Sequence, residues 1–348
     1  NSVRAAVALA LAAFLLLWTI DDQGWTTSHY EGIQHLRKVL GSRVEVAWTE
    51  KVLSTEDAER VARQYASQGF DIIFGTTFVH MDAMVALAKE FPDVVFEHCS
   101  GYQTGPNLGT YFVRIYQAEY LAGYLAGLMG FHNVGTVATQ PIPEVVRGID
   151  AFTLGQERGL TEANVPHDPD HINSVVWLKA WRDPVRETAL AQALAQAGHD
   201  CVRQMADTPD SALAACAAGV PAIGYGEDAA AHGATCALTS TVFNWGPVYV
   251  EMVQRLLQGK WRTESYWDGF HANGVALSPF HPSVPQPVRD KVLAARALLA
   301  LGEDRVFAGP ILDQRGQTLF RAGYRATDKE LLGLLTFVRR VKGEVPGE

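Results

Sequence analysis

From Arg43 onward the chain alternates short β-branched runs with amphipathic helical patterns, and nothing else in the sequence restricts the fold as strongly. Adjacent parallel strands need a connection long enough to hold a helix, so repeated strand and helix units imply parallel sheets covered on both faces. Strands are expected at Val44 to Trp48, Phe70 to Phe74, Val94 to His98 and Leu108 to Phe112. The helix expected over Thr55 to Gln68 opens on an N-cap Ser54 or Thr55, carries Glu56 and Asp57 in its first turn and stops at Gly69. A second series places strands at Val134 to Ala138, Ser174 to Leu178, His199 to Gln204, Val220 to Tyr225 and Ala237 to Thr239, with a helix from Pro184 to Ala197. Two successive series imply two α/β lobes, for which 348 residues suffice. Beyond Asn244 the helices expected at Gly246 to Gln258, Val288 to Leu301 and Asp328 to Val341 are too few for a third domain, so this stretch should complete the first two.

The first twenty residues carry two readings. Arg4 and the apolar run Ala5 to Trp18 have the look of a signal peptide, without an initiator Met, a clear A-x-A site or a lipobox Cys. The competing reading makes Phe14 to Ile20 the first core strand, so residues 1–18 are taken as a signal-peptide-like segment overlapping that strand. No later apolar run approaches the length of a membrane span. Hydrophobic residues at 48% and charged residues at 19% are the balance of a folded chain, and a net charge of −9 without a dense Lys/Arg run argues against a nucleic-acid partner. Cys99, Cys201, Cys216 and Cys236 form no C-x-x-C pair and read mainly as buried thiols, a disulfide among the last three being the lesser alternative.

Catalytic motifs are missing: no G-x-S-x-G elbow, no phosphate-binding G-x-x-x-x-G-K-[ST] loop, no H-E-x-x-H helix. His167-Asp168-Pro169-Asp170-His171 has metal-ligand residue types in a Pro-interrupted polar loop, the setting of a solvated connector. His98 and Cys99 adjoin on a strand and so face opposite ways, which removes a Cys/His nucleophile pair. The reading is therefore no enzyme, no catalytic residue, no metal and no cofactor.

Ligands of open α/β sheets bind beyond the carboxyl ends of the strands. The loops there hold Asp21-Asp22-Gln23-Gly24-Trp25 with Tyr30 beyond, Gly75-Thr76-Thr77-Phe78, and His98-Cys99-Ser100-Gly101-Tyr102 in the first lobe. In the second they hold Gln140-Pro141-Ile142-Pro143-Glu144, Lys179-Ala180-Trp181-Arg182-Asp183, Asp207-Thr208-Pro209 and Gly226-Glu227-Asp228. Singly, Trp25 or Trp181 reads as core and Asp22, Asp183 or Asp207 as a helix cap; aromatic faces and carboxylates recurring at one topological position in both lobes suit a planar, hydrogen-bonding ligand.

Asp22-Gln23-Gly24-Trp25, Phe74-Gly75-Thr76-Thr77-Phe78, Phe96-Glu97-His98, Pro141-Ile142-Pro143-Glu144-Val145-Val146-Arg147-Gly148, Asn244-Trp245-Gly246-Pro247 and Gly309-Pro310-Ile311 resemble the basic membrane protein family of substrate-binding proteins, which serve ABC importers of nucleosides and purines. The resemblance runs from about Asp21 to the C-terminus. It implies the type I periplasmic binding protein fold, two Rossmann-like lobes with parallel sheets joined by a three-segment hinge. The lobes expected are residues 1–131 with 240–279 and residues 132–239 with 280–348, crossing near Phe131, Ser240 and Pro279. It also implies an extracytoplasmic protein that hands a small ligand to an ABC permease, reaching the membrane only through that permease or an N-terminal anchor. Asp22 matches the family carboxylate that bonds the base, Tyr30 lies near a flanking aromatic, Trp181 matches the second-lobe stacking aromatic, and Asp207 lies in a ligand-facing loop.

Two departures bear on the ligand. Where the family's nucleoside receptors use an acid and a lysine for the sugar, this chain has Gly226 and Phe243, and Trp245 has the bulk to fill the sugar's volume. The expected ligand is therefore a purine nucleobase in the cleft between the lobes, met by Asp22, Trp25, Tyr30, Phe78, His98, Trp181, Asp207, Gly226, Asp228, Asn244 and Trp245. The alternatives are a nucleoside receptor, with Asp228 or Glu227 holding the ribose, a nucleoside-acting hydrolase, or a sensor ectodomain on the same fold.

Overall fold

A computed structural model describes residues 5–347; Arg4, the charged start of the signal-peptide-like reading, lies outside the described residues. The chain begins with β1 (Ala10–Leu15), α1 (Trp25–Leu40), β2 (Val44–Thr49), α2 (Thr55–Ser67), β3 (Ile72–Gly75), α3 (Met81–Glu90), β4 (Val95–Cys99) and β5 (Leu108–Val113). A second run consists of α4 (Ile115–Leu128), β6 (Val134–Ala138), α5 (Pro143–Glu162), β7 (Asn173–Trp177), α6 (Pro184–Gln196), β8 (Cys201–Met205), α7 (Asp210–Ala217), β9 (Ala222–Gly226) and β10 (Ala237–Phe243). The remainder is α8 (Trp245–Leu257), β11 (Ser265–Asp268), β12 (Val275–Leu277), α9 (Gln286–Ala300), β13 (Ile311–Leu312), β14 (Thr318–Phe320), α10 (Asp328–Leu332) and β15 (Val341–Lys342).

Two compact units result. The first holds everything up to Arg114 with Asn244–Asp268 and Ala272–Gly274; the second holds Ile115–Phe243, Gly269–His271 and everything from Val275. The first unit's sheet has the order β11-β5-β4-β3-β1-β2, all parallel. The second has the order β12-β10-β9-β8-β6-β7-β15, parallel except where β12 meets β10.

The apolar N-terminal run is an interior strand. β1 lies between β2 and β3, with Ala10 beside Val44 and Ala12 beside Ile72. A parallel strand covered on both faces reads as continuous hydrocarbon, which is why this segment looks like a signal peptide. It starts four residues before the expected Phe14 and ends at Leu15, leaving Trp18 to Ile20 in the loop beyond it. Phe14 stacks on Phe74 of β3 with ring centres 4.6 Å apart, and Tyr249 of α8 meets both rings edge-on.

The units change over between Arg114 and Ile115, between Phe243 and Asn244, and within 269–275, whereas the sequence places the crossings near Phe131, Ser240 and Pro279. Packing explains the difference. Cβ atoms at Gly123 or Gly127 of α4 would collide with the carbonyls of Phe152 and Gln156 on α5, and a Cβ at Gly155 with the carbonyl of Tyr120. The two helices thus approach backbone to backbone, which commits α4 to the second unit. β11 joins β5 in the first unit, while β12 joins β10 in the second.

The C-terminal helix and the cysteines also differ from expectation. The helix expected over Asp328 to Val341 is only Asp328–Leu332, opened by a capping box between Thr327 and Glu330. Buried groups on α5 capture the segment beyond it: Arg147 donates to the Leu331 carbonyl at 2.9 Å and the Val338 N–H donates to Asp150 at 2.9 Å, after which β15 pairs with β7. Cys216 and Cys236 are not thiols but a disulfide joining the end of α7 to the start of β10, while Cys99 and Cys201 are buried and free.

Candidate functional site

In the first unit the carboxyl ends of β1, β3 and β4 carry three loops. Asp22, after β1, is engaged in holding the start of α1. Its Oδ1 accepts from the N–H groups of Gly24 and Thr27 at 2.9 Å each and from the Thr27 hydroxyl at 3.0 Å, and its Oδ2 accepts from the Thr26 N–H at 3.2 Å. Oδ1 is saturated, so only Oδ2 retains capacity for an outside donor. The Trp25 indole N–H donates to the Thr76 carbonyl at 3.0 Å, tying α1 to the loop after β3 while leaving the side chain partly exposed. Tyr30, one turn along α1, packs edge-on against Trp48 and accepts a bond from Gln34.

Phe78 opens the turn after β3 with 54% of its surface exposed, and Tyr102 after β4 is 72% exposed, the ring centres 6.3 Å apart. Tyr102 lies in a loop that sequence marks as ligand-facing, but an isolated tyrosine carries no periodic signal to distinguish it there.

His98 and Trp245 leave the ligand-facing set. His98 has no exposed surface; its Nε2 bonds the Thr77 carbonyl at 2.7 Å, and burial pushes its pKa down to about 4, so it is a neutral brace between β4 and the loop after β3. Trp245 is likewise wholly buried, stacked on His29 at 4.5 Å with its N–H on the Ser28 hydroxyl at 3.1 Å. The volume it fills is the contact of α1 with α8. Asn244 precedes it and donates through Nδ2 to the Asn273 carbonyl at 2.7 Å, fixing the entry to α8.

The second unit presents its own carboxyl edge. Trp181, after β7, is 46% exposed, and Asp183 caps α6 by accepting from the Arg186 N–H at 3.1 Å. Asp207 comes after β8 and is partly exposed. Gly226 ends β9 at φ 83°, a conformation that favours glycine, so backbone geometry accounts for its identity. Asp228 accepts from the Ala230 N–H at 3.1 Å as a turn cap, and Glu227 is buried with a carboxylate oxygen 4.0 Å from His232 Nε2. Left-handed backbone recurs at these edges in non-glycine residues, at Gln23, Ser100 and Lys179, and such conformations collect at functional loops.

Glu144 in the first turn of α5 belongs to the Pro141–Gly148 motif but carries no sequence signal that sets it apart from an ordinary first-turn acid. Burial pushes its carboxyl up to about 7 against the opposing charge of Arg147, and it makes no hydrogen bond to another described residue. In the loop His167 to His171, Asp168 and His171 close a turn and Asp170 pairs with Arg339 at 3.2 Å. No group of three or more His, Cys, Asp or Glu able to hold a metal ion occurs among the described residues, and no helix there is long and apolar enough to cross a membrane.

A family model described as PnrA-like ABC transporter substrate-binding protein matches residues 10–296. A purine-binding protein of Brucella abortus is 34% identical over 96% of this chain and 93% of its own length. A Haloferax volcanii protein, provisionally named an ABC transporter glucose-binding protein, is 35% identical over 96% of this chain and 81% of its own. Among solved structures, an ABC transporter solute-binding protein of Conexibacter woesei superposes with a TM-score of 0.68 at 24% identity, covering 85% of this chain and 98% of that one. A transcriptional activator of the comK gene from Bacillus halodurans gives 0.71 at 25%, covering 85% and 99%.

Proposed function

Because the chain belongs to the PnrA-like family of ABC transporter substrate-binding proteins, whose members are extracytoplasmic, bind a small molecule and serve a permease, we propose that its ligand is a purine, and a free nucleobase in preference to a nucleoside. The observation that carries the reading is the exposure of flat aromatic faces at the carboxyl edges of both sheets, Phe78 and Tyr102 in one unit and Trp181 in the other. A heterocycle is held by such faces together with a few hydrogen-bonding groups; Asp22 and Glu144 have carboxylate oxygens with acceptor capacity left at the same edges, and Asp207 stands at the edge that carries Glu144. The purine-binding relative supports this choice. The preference for the base rests on Gly226 and Phe243, a backbone-constrained glycine and a buried ring at the two places where the resemblance expects an acid and a lysine for ribose. Trp245, being buried between α1 and α8, adds nothing to that preference.

The binding reading needs no catalytic set, and its permease and ligand are its partners. The Cys216–Cys236 disulfide accords with an oxidising compartment. The second relative's name makes glucose the competing ligand.

Calorimetric titration with adenine, guanine, hypoxanthine, their nucleosides and glucose tests the proposal. Purine bases should bind most tightly. Tighter binding of glucose would sink the purine reading, tighter binding of nucleosides would sink the base preference, and release of base from nucleoside beyond one equivalent would make the protein a hydrolase.

A further inference from the structure

Glu144, Asp207 and Tyr225 meet at the carboxyl ends of three neighbouring strands. β6 and β8 run side by side with Ala138 beside Met205, and β9 lies next to β8. Glu144 comes after β6, Asp207 comes after β8, and Tyr225 stands one residue from the end of β9, close enough to both carboxyls for their charge to help hold its phenol protonated. No side chain caps α5, and the Glu144 carboxyl is left without a hydrogen-bond partner among the described residues. The same edge holds another unsatisfied group. Gln204 on β8 donates through Nε2 to the carbonyls of Ala206 and Tyr225, at 2.9 and 3.2 Å, and its buried Oε1 has no donor. Buried polar groups are normally satisfied, which makes Gln204 Oε1 an exception at this edge, while the partly exposed Glu144 carboxyl at the start of α5 is open to a hydrogen-bonding ligand.

We propose that Glu144 reads the edge of the purine ring: as a neutral acid it donates to a ring nitrogen and accepts from the amino group of an adenine-type edge, and as a carboxylate it accepts from the adjacent N–H groups of a guanine-type edge. The inference rests on the purine reading above and makes the ligand preference turn over with pH.

The setting holds both forms within reach of neutral pH, because burial pushes the carboxyl up to about 7. The groups around it have opposing effects. Arg147 on α5 favours the carboxylate against the burial that disfavours it, and the phenol of Tyr225 on β9 feels the charge of both Glu144 and Asp207. Glu119 on α4 and Arg203 on β8 compensate one another, and α10, packed on α5, brings Asp328, Lys329 and Glu330.

Affinities for adenine and guanine at about pH 5.5 and about pH 8 test this, since a carboxyl with a value near 7 changes form between them. In the wild type the adenine-to-guanine affinity ratio should fall about tenfold or more on raising the pH, roughly the worth of one charged hydrogen bond gained or lost. In Glu144→Gln, whose amide always donates and accepts, the ratio should stay at its low-pH value. Titration of the wild type in two buffers of different ionisation enthalpy gives a readout independent of the variant: adenine binding near neutral pH should take up protons and guanine binding should release them. A wild type that binds purines with a ratio indifferent to pH, with no proton exchange, or with a pH slope preserved in Glu144→Gln, overturns this inference alone. A wild type that binds no purine overturns the functional reading and this inference with it.

Discussion

The carboxylate of Glu119 on α4 accepts from the guanidinium of Arg203 on β8, and neither side chain has meaningful contact with solvent. Thr241 on β10 donates to the other carboxylate oxygen at 2.5 Å, and the Arg203 guanidinium lies over the Phe152 ring at 4.6 Å. One ion pair thus joins a helix to two strands of the second unit. Removing one partner strands a buried charge, so Glu119→Ala should lower stability by about 3–5 kcal/mol. Urea denaturation checks this; a midpoint within error of the wild type would show that the pair is replaceable by water.

The first unit buries ionisable groups of opposite pH dependence. Burial pushes His80 down to about 4, below its unfolded value of 6.5, so its stabilisation is complete above pH 6.5 and is lost as pH falls toward 4. Glu97 is pushed well above 4.5, so its contribution is complete below that value and is lost as pH rises through its folded value. His80→Gln keeps a donor for the Val52 carbonyl and should gain on the wild type between about pH 6.5 and 4. Glu97→Gln keeps an acceptor for the Trp261 N–H and should gain at alkaline pH. Denaturation midpoints across pH check both; parallel curves for variant and wild type would contradict the assignment.

Cys216 and Cys236 close a loop of sequence separation 20 within the second unit. Cross-linking a loop of that size restricts the unfolded chain by about 3 kcal/mol. The Cys216→Ser/Cys236→Ser double variant should therefore melt several degrees lower while binding ligand as before. Unchanged melting would place the constraint elsewhere.

Phe78 and Trp181 are half exposed, so truncation removes little core. Base stacking on an aromatic side chain is worth about 1–3 kcal/mol. Phe78→Ala and Trp181→Ala should each weaken purine binding about fivefold or more with thermal stability nearly unchanged, as read by calorimetry and a melting curve. Loss of stability without loss of affinity would return either ring to a packing role.

Much of the architecture was legible in sequence because it is local. Strand and helix periods fix β2 to β9 within a residue or two, and the caps at Ser54 and Asp183 each accept the backbone bond their chemistry invites. Periodicity weakens at the C-terminus, where five residues after Thr327 are helical and the next segment is claimed by Arg147 and Asp150 from far back in the chain. The placement of the candidate residues was legible: Phe78, Tyr102, Trp181 and Asp207 all stand in the loops after strand ends, where the sequence puts them.

What each residue does at that place depended on long-range packing. Trp245 and His98 read like ligand groups, but α1, α8 and the loop after β3 close over them. Asp22 offers two oxygens in sequence and one largely committed carboxylate in the fold, because four donors from the start of α1 converge on it. Cys216 and Cys236, 20 residues apart, come to a Cα separation of 5.5 Å only after α7 and β10 pack. The sequence by itself determined the strand–helix alternation, the parallel sheets and the edge at which the candidate ligand groups stand, since these derive from periodicity and the direction of the strands. Only the tertiary structure decided which groups at that edge are spent on the protein and which remain for a ligand, since burial and hydrogen-bond satisfaction belong to the packed whole.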